Sequence, residues 1–148
     1  MKTLLFGFVF AGAAGLAVNA QDVAPKDVPA AVTNAISQKY ANAAKIDWEM
    51  NETNYEAEFK INRTEHTVLV DPAGTILMAK HDVDKKELPQ AVNTAITQSY
   101  KGLKLDDVEV LEKDGTTYYQ VELNDKAGDK KLVFTADGSA ASNITYWD

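Results

Sequence analysis

Thirteen residues, Val28-Pro29-Ala30-Ala31-Val32-Thr33-Asn34-Ala35-Ile36-Ser37-Gln38-Lys39-Tyr40, return as Leu88-Pro89-Gln90-Ala91-Val92-Asn93-Thr94-Ala95-Ile96-Thr97-Gln98-Ser99-Tyr100. The offset is 60 residues, and seven of the thirteen positions are identical. Most of the others exchange like for like, Val28 with Leu88 and Ser37 with Thr97. An amphipathic stretch that opens on proline and recurs in this way means one structural unit built twice.

Each copy begins with a helix. Val28, Ala31, Val32, Ala35, Ile36 and Tyr40 recur at spacings of three and four, which places them on one face. Pro29 suits the first turn, where its missing N–H costs nothing, and Asp27 sits near the positive helix end. In the second copy the stripe is Leu88, Ala91, Val92, Ala95, Ile96, Tyr100 and Leu103, and Gly102 stops the helix. Residues 21–27 read as a short leader strand or tether.

After each helix the apolar period changes from that of a helix to that of a strand. Ile46, Trp48 and Met50 alternate with Lys45, Asp47 and Glu49; Tyr55, Ala57, Phe59 and Ile61 alternate with Glu56, Glu58, Lys60 and Asn62. A third strand covers His66 to Val70, Asp71-Pro72-Ala73-Gly74 turns the chain, and a fourth runs from Thr75 to His81. The second copy repeats this plan. Asp107-Val108-Glu109 matches Asp47-Trp48-Glu49 at offset 60, while Tyr119, Glu122, Leu123 and Gly138 match Tyr55, Glu58, Phe59 and Gly74 at offset 64. Lys131 to Thr135 then forms its third strand and Ser139 to Trp147 its last.

The fold class is therefore α+β: a tandem duplication of a helix plus a four-stranded antiparallel sheet, joined into one sheet of about eight strands with two helices on one face. Residues 21–84 form the first repeat and 85–148 the second. Residues 1–20 read as a signal peptide, with Lys2, an apolar run from Leu4 to Val18, and small residues before a cleavage point near Ala20. That implies a periplasmic or secreted protein that leaves the membrane after cleavage. With no cysteine, the chain excludes a disulfide framework and a thiolate nucleophile or metal site. A net charge of −7 argues against nucleic-acid and anionic-membrane partners.

Enzyme signatures are missing: the chain has no Gly-rich phosphate loop, no G-x-S-x-G elbow, no H-E-x-x-H and no S-x-x-K. No cofactor is implied. The only histidines, His66 and His81, flank the Asp71–Gly74 hairpin. A type I turn with a Gly bulge pairs Asp71 with Thr75 and sends the imidazoles to opposite faces; a two-residue loop puts both on one face, near enough for a metal. Solvated surface histidines are the simpler reading, because zinc takes three or four protein ligands. Asp47, Glu49, Glu56, Glu58, Glu109 and Glu122 lie on polar strand faces, either keeping an open sheet soluble or forming an acid/base pair or a cation-binding strip. Trp48, Tyr55, Phe59, Tyr119 and Phe134 fit the apolar face, and Tyr40 and Tyr100 cap the helix–sheet contact. Tyr118 faces the other way, as must one of Tyr146 and Trp147; Leu69, Leu111 and Val133 join them.

With the repeat laid out, the chain resembles the PepSY-like, β-lactamase-inhibitor-like family of exported bacterial proteins. The likeness rests on Pro29-x-Ala31-Val32-x-x-Ala35-Ile36-x-x-x-Tyr40, Asp47-Trp48-Glu49, Tyr55-x-x-x-Phe59 and Val70-Asp71-Pro72-Ala73-Gly74. The resemblance implies tandem helix-plus-sheet repeats whose sheet surface grips a partner protein. β-Lactamase inhibitor protein carries disulfides and this chain has no cysteine, so inhibition of a β-lactamase does not carry over. The expectation is a non-enzymatic module that engages an unknown protein or peptide through the open sheet face. Tyr118 and Trp147 are the expected anchors, with Glu56, Glu58, Glu122, Leu69 and Val133 beside them. The alternative is a small-molecule or divalent-cation-binding protein using the acidic strand face.

Overall fold

A computed structural model describes residues 21–148; the signal-peptide reading of residues 1–20 lies outside the described residues. The described residues form one antiparallel sheet whose eight strands lie side by side in sequence order. They are β1 (Gln21–Asp22), β2 (Ala44–Asn51), β3 (Asn54–Ile61), β4 (Thr64–Val70), β5 (Ile76–Asp82), β6 (Lys104–Lys113), β7 (Thr116–Asp125) and β8 (Gly128–Thr135). Helix α1 (Ala30–Lys39) connects β1 to β2, and α2 (Gln90–Ser99) connects β5 to β6. Among the described residues, no helix is long and apolar enough to cross a membrane.

The helices form where the apolar stripe requires. Pro29 and Pro89 stand at the N-cap positions with extended ψ, and Tyr40 and Tyr100 close the far ends by donating their N–H groups to the carbonyls of Ile36 and Ile96. Each helix covers its own apolar cluster: Val28, Val32 and Ile36 on Trp48, Ala57, Phe59, Val68 and Val70 in one half, Leu88, Val92 and Ile96 on Val108, Val121, Leu123 and Phe134 in the other. Burial of these side chains is the main stabilising term. Across the seam, Lys39 on α1 meets Glu112 on β6 at 3.1 Å, an exposed pair worth little by itself.

The two copies overlap. Asp22 pairs with Glu49 and Asp82 with Glu109, and the Val23 and Val83 N–H groups donate to the carbonyls of Trp48 and Val108. At the repeat offset of 60, the end of β5 is thus the counterpart of β1. One strand closes the first copy and opens the second.

The last predicted strand, Ser139 to Trp147, does not form. Ala140 bridges Phe134 as Ile76 pairs with Val70, and the Ala141 N–H donates to the Val133 carbonyl at 2.8 Å, but the chain then leaves the edge. The eighth strand is β1, at the other end of the sheet.

The hairpin between β4 and β5 settles where the histidines point. Asp71 donates its N–H to the Thr75 carbonyl, as a type I turn with a Gly bulge requires. Beyond it Val70 pairs with Ile76 but Leu69 with Met78, so Leu77 is an extra residue and a second bulge. The register slips by one and sets His66 directly opposite His81, both on the helix side. Their rings stack at 5.3 Å between centroids, and Phe59 stacks on His66 at 5.5 Å. Burial, reinforced by the neighbouring His81, holds His66 below the usual histidine value of 6.5.

This depressed value has a sign that can be tested. The unfolded chain takes up the His66 proton first as pH falls, so this contribution to stability is complete above pH 6.5 and is lost as pH drops toward the folded-state value. Glu58 and Asp82 are raised, so their contributions run the other way, present below the ordinary carboxylate values and lost as pH rises through the folded ones. A His66→Phe variant is expected to flatten the fall in urea midpoint between about pH 7.5 and about pH 5.5; an unchanged slope would remove His66 as its source.

Candidate functional site

Strand register sorts the side chains between the helix face and an open face. On the open side, Glu49 lies opposite Glu56, Glu58 opposite Thr67, and Glu56 opposite Leu69. Continuing across the sheet, Thr67 faces Lys80, Lys80 faces Leu111, Leu111 faces Tyr118, and Gln120 lies between Glu109 and Val133. Every predicted contact residue on a strand (Glu56, Glu58, Leu69, Tyr118, Glu122 and Val133) is on this face. Tyr118, Glu58 and Glu122 are half-buried, but Glu56, Leu69 and Val133 retain under a tenth of their surface.

The two halves of the face differ in charge. In the first half, burial and then repulsion from Glu49, Glu56 and Glu65 push the Glu58 carboxyl up, while Lys60 pairs with Glu65 at 3.1 Å. Glu56 accepts a hydrogen bond from the Asn51 amide at 2.8 Å. The second half carries a lysine in the middle. Lys80 Nζ lies 3.0 Å from Glu109 Oε1, with only 10% and 11% of the two side chains exposed. Gln120, fully buried, donates to Glu109 Oε2 at 2.7 Å.

What covers this pair is the segment that left the edge of β8. Trp147 donates its backbone N–H to Gln120 Oε1 at 2.7 Å, and its carbonyl accepts from Gln120 Nε2 at 3.0 Å and Lys80 Nζ at 2.9 Å. The Lys80 ammonium lies 5.5 Å from the Trp147 ring centroid, and Lys131 lies 5.2 Å from that of Tyr146 while pairing with Asp148. The Tyr146 hydroxyl reaches Glu109 at 3.4 Å; burial and the charges of Glu109, Asp107 and Glu122 push its pKa up. Alternation along a strand would have turned only one of Tyr146 and Trp147 outward. Because the segment crosses the sheet instead, both lie on the open face, and Trp147 is held by its own chain.

Lys80 and Gln120 are the residues that sequence reasoning missed. Gln120 had a signal, since it replaces Glu56 at offset 64. Lys80 was hidden by the Leu77 bulge, which changes the facing of everything after it in β5.

One further group of acids could hold a metal. The carboxylates of Asp82, Asp107 and Glu109 offer oxygens within 4.8 Å of one another, and burial and repulsion from Asp107 and Glu109 raise Asp82. The Lys80 ammonium already neutralises Glu109, which weakens that cluster as a cation site. The stacked histidines are on the opposite side of the sheet.

Solved structures share this architecture. A protein of the DUF2874 family from Bacteroides uniformis is 24% identical and superposes with a TM-score of 0.71, over 76% of this chain and 86% of that one. A protein from Bacteroides eggerthii, described among "putative periplasmic proteins", is 21% identical with a TM-score of 0.72, over 77% and 86%. A BLIP-like protein from Bacteroides fragilis is 29% identical with a TM-score of 0.65, over 76% and 82%. No curated protein matches the chain. The profile of one family, described as "Putative beta-lactamase-inhibitor-like, PepSY-like", matches residues 16–78 and again 71–141. The two matches overlap at residues 71–78, leading into the shared strand β5. Duplicated sequence, shared strand and doubled profile agree, and the chain belongs to the PepSY-like family.

Proposed function

We propose that the chain is an exported, non-enzymatic binding module that grips a protein or peptide with the open face of its sheet. The observation that carries this reading is the crowding of Glu49, Glu56 and Glu58 on the first half of that face, where burial first and the neighbouring carboxylates second raise the Glu58 carboxyl. A surface whose charges repel one another gains when a partner brings compensating positive charge, so the partner presents lysines or arginines to this half. The half-buried Tyr118 on the other half supplies an aromatic contact. The BLIP-like neighbour lends the reading support by fold. Among the described residues the face offers carboxylates, lysines, amides and aromatics.

The test is capture from periplasmic extract on immobilised residues 21–148. A protein held by the intact chain is expected to be lost from a Glu49→Lys/Glu58→Lys variant and weakened by Tyr118→Ala, with both variants keeping their melting temperatures. A captured set indifferent to all three substitutions would sink the reading. The alternative, a divalent cation, is favoured by the close oxygens of Asp82, Asp107 and Glu109. It requires calcium to raise the melting temperature, and a flat calcium titration excludes it.

A further inference from the structure

The open face of the second half already holds a peptide, the chain's own residues Tyr146–Asp148, and the way it does so specifies a ligand. Gln120 reads the backbone of Trp147 from both sides, accepting its N–H at 2.7 Å and donating to its carbonyl at 3.0 Å. This amide-to-peptide pairing is indifferent to the side chain it carries. Selectivity comes from the flanks. Lys80 and Lys131 each lie over an aromatic ring, at 5.5 Å and 5.2 Å, and Lys131 also pairs with the acid that follows the two aromatics. Leu111, fully buried, and Val133, at 7% exposure, flank Lys80 and Gln120 on the same face. The first copy has no such reader. Its counterparts of Gln120 and Leu111 are Glu56 and Asn51, and a carboxylate cannot donate to a peptide carbonyl.

The segment is also out of its repeat position. At offset 64, residues 140–146 correspond to β5, and Ala140 starts along β8 as Ile76 starts along β4. After Ala141 the segment abandons the edge, although β8 is the last strand of the sheet and, among the described residues, no strand pairs with its outer side beyond Val133. Lys80, Glu109 and Gln120 are thus buried polar groups whose cover is a short crossing strap, not a strand of the sheet.

We propose that this cradle, formed by Lys80, Glu109, Gln120, Lys131, Leu111 and Val133, is a recognition site for an extended segment of a partner protein that carries two adjacent aromatic residues followed by an acidic one. The chain's own Tyr146–Asp148 fills it in cis and competes with the partner. The proposal rests on the open face being the binding surface and adds the chemistry that its second half reads.

The experiment uses the chain cut back to residue 141 and a synthetic peptide of residues 142–148. Circular dichroism and melting first establish that the shortened chain is folded. Saturable one-to-one binding of the peptide is expected, followed by isothermal titration calorimetry. Trp147→Ala in the peptide, or Gln120→Leu in the chain, should weaken it by about tenfold or more. If the shortened chain does not fold, the same titration is run on the full chain carrying Trp147→Ala, whose own strap is weakened. Absence of saturation at about millimolar peptide, or equal binding of the alanine peptide, overturns the proposal. So does a dimer of the intact chain that disappears on truncation, since the ligand would then be a second copy. Capture of an extract protein that survives both truncation and excess peptide would overturn the cradle while leaving the open-face reading intact.

Discussion

A Lys80→Met variant is expected to lose about 3 to 5 kcal/mol of stability at neutral pH, among the largest effects of any single substitution in this chain. The side chain of Lys80 is 10% exposed and its ammonium meets Glu109 at 3.0 Å and the Trp147 carbonyl at 2.9 Å. Methionine fills the same space without the charge. It leaves the Glu109 carboxylate with a hydrogen bond from Gln120 and the distant Tyr146 hydroxyl, under a cover that keeps water out. An unpaired buried charge costs more than the pair contributes, because desolvation is no longer offset. A Lys80→Met/Glu109→Leu double variant should recover much of the loss. Urea denaturation of both variants checks this, and a single variant within about 1 kcal/mol of the parent contradicts it.

Gly74→Ala and Gly138→Ala form the second large prediction, at about 2 to 4 kcal/mol each. Both glycines have positive φ, +91° and +85°, a region costly for any residue with a Cβ. Space is the larger difficulty. A Cβ at Gly74 would lie 2.6 Å from the Ala31 carbonyl oxygen, and one at Gly138 2.5 Å from that of Ala91. Those atoms belong to the first turns of α1 and α2, so each turn is packed backbone to backbone against the helix of its own copy. Gly102→Ala separates the two effects, because Gly102 has φ of +87° with nothing nearby. It should cost only the backbone component, about 1 to 2 kcal/mol. Equal midpoint shifts for all three variants would show that helix contact contributes nothing.

Most of the fold could be read before any coordinates, for a physical reason. Strand alternation and helical stripes report which face is apolar, and duplication allowed each assignment to be checked against its counterpart. The helix stripes, Trp48 and Phe59 in the core, and the outward Glu56, Glu58 and Tyr118 follow from periodicity alone. What escaped were departures from period. The Leu77 bulge turned His81, Lys80 and Met78 over by one step, which brought the histidines together and placed a lysine among carboxylates. Ser139 to Trp147 reads as a strand by its repeat position, yet Trp147 and Tyr146 cover Lys80 and Glu109 instead of lying along the edge of β8. Competition between two local environments does not show in the pattern of one segment.

The strand that serves both copies has a consequence for how such a protein can grow. Because β5 ends one unit and begins the next, each added unit must borrow its opening strand from its predecessor. The segment positioned to lend that strand after β8 is the one that lies across the face and shields Lys80 and Glu109. Lengthening the array and keeping the face closed are therefore rival uses of the same residues, and this chain has committed them to closure.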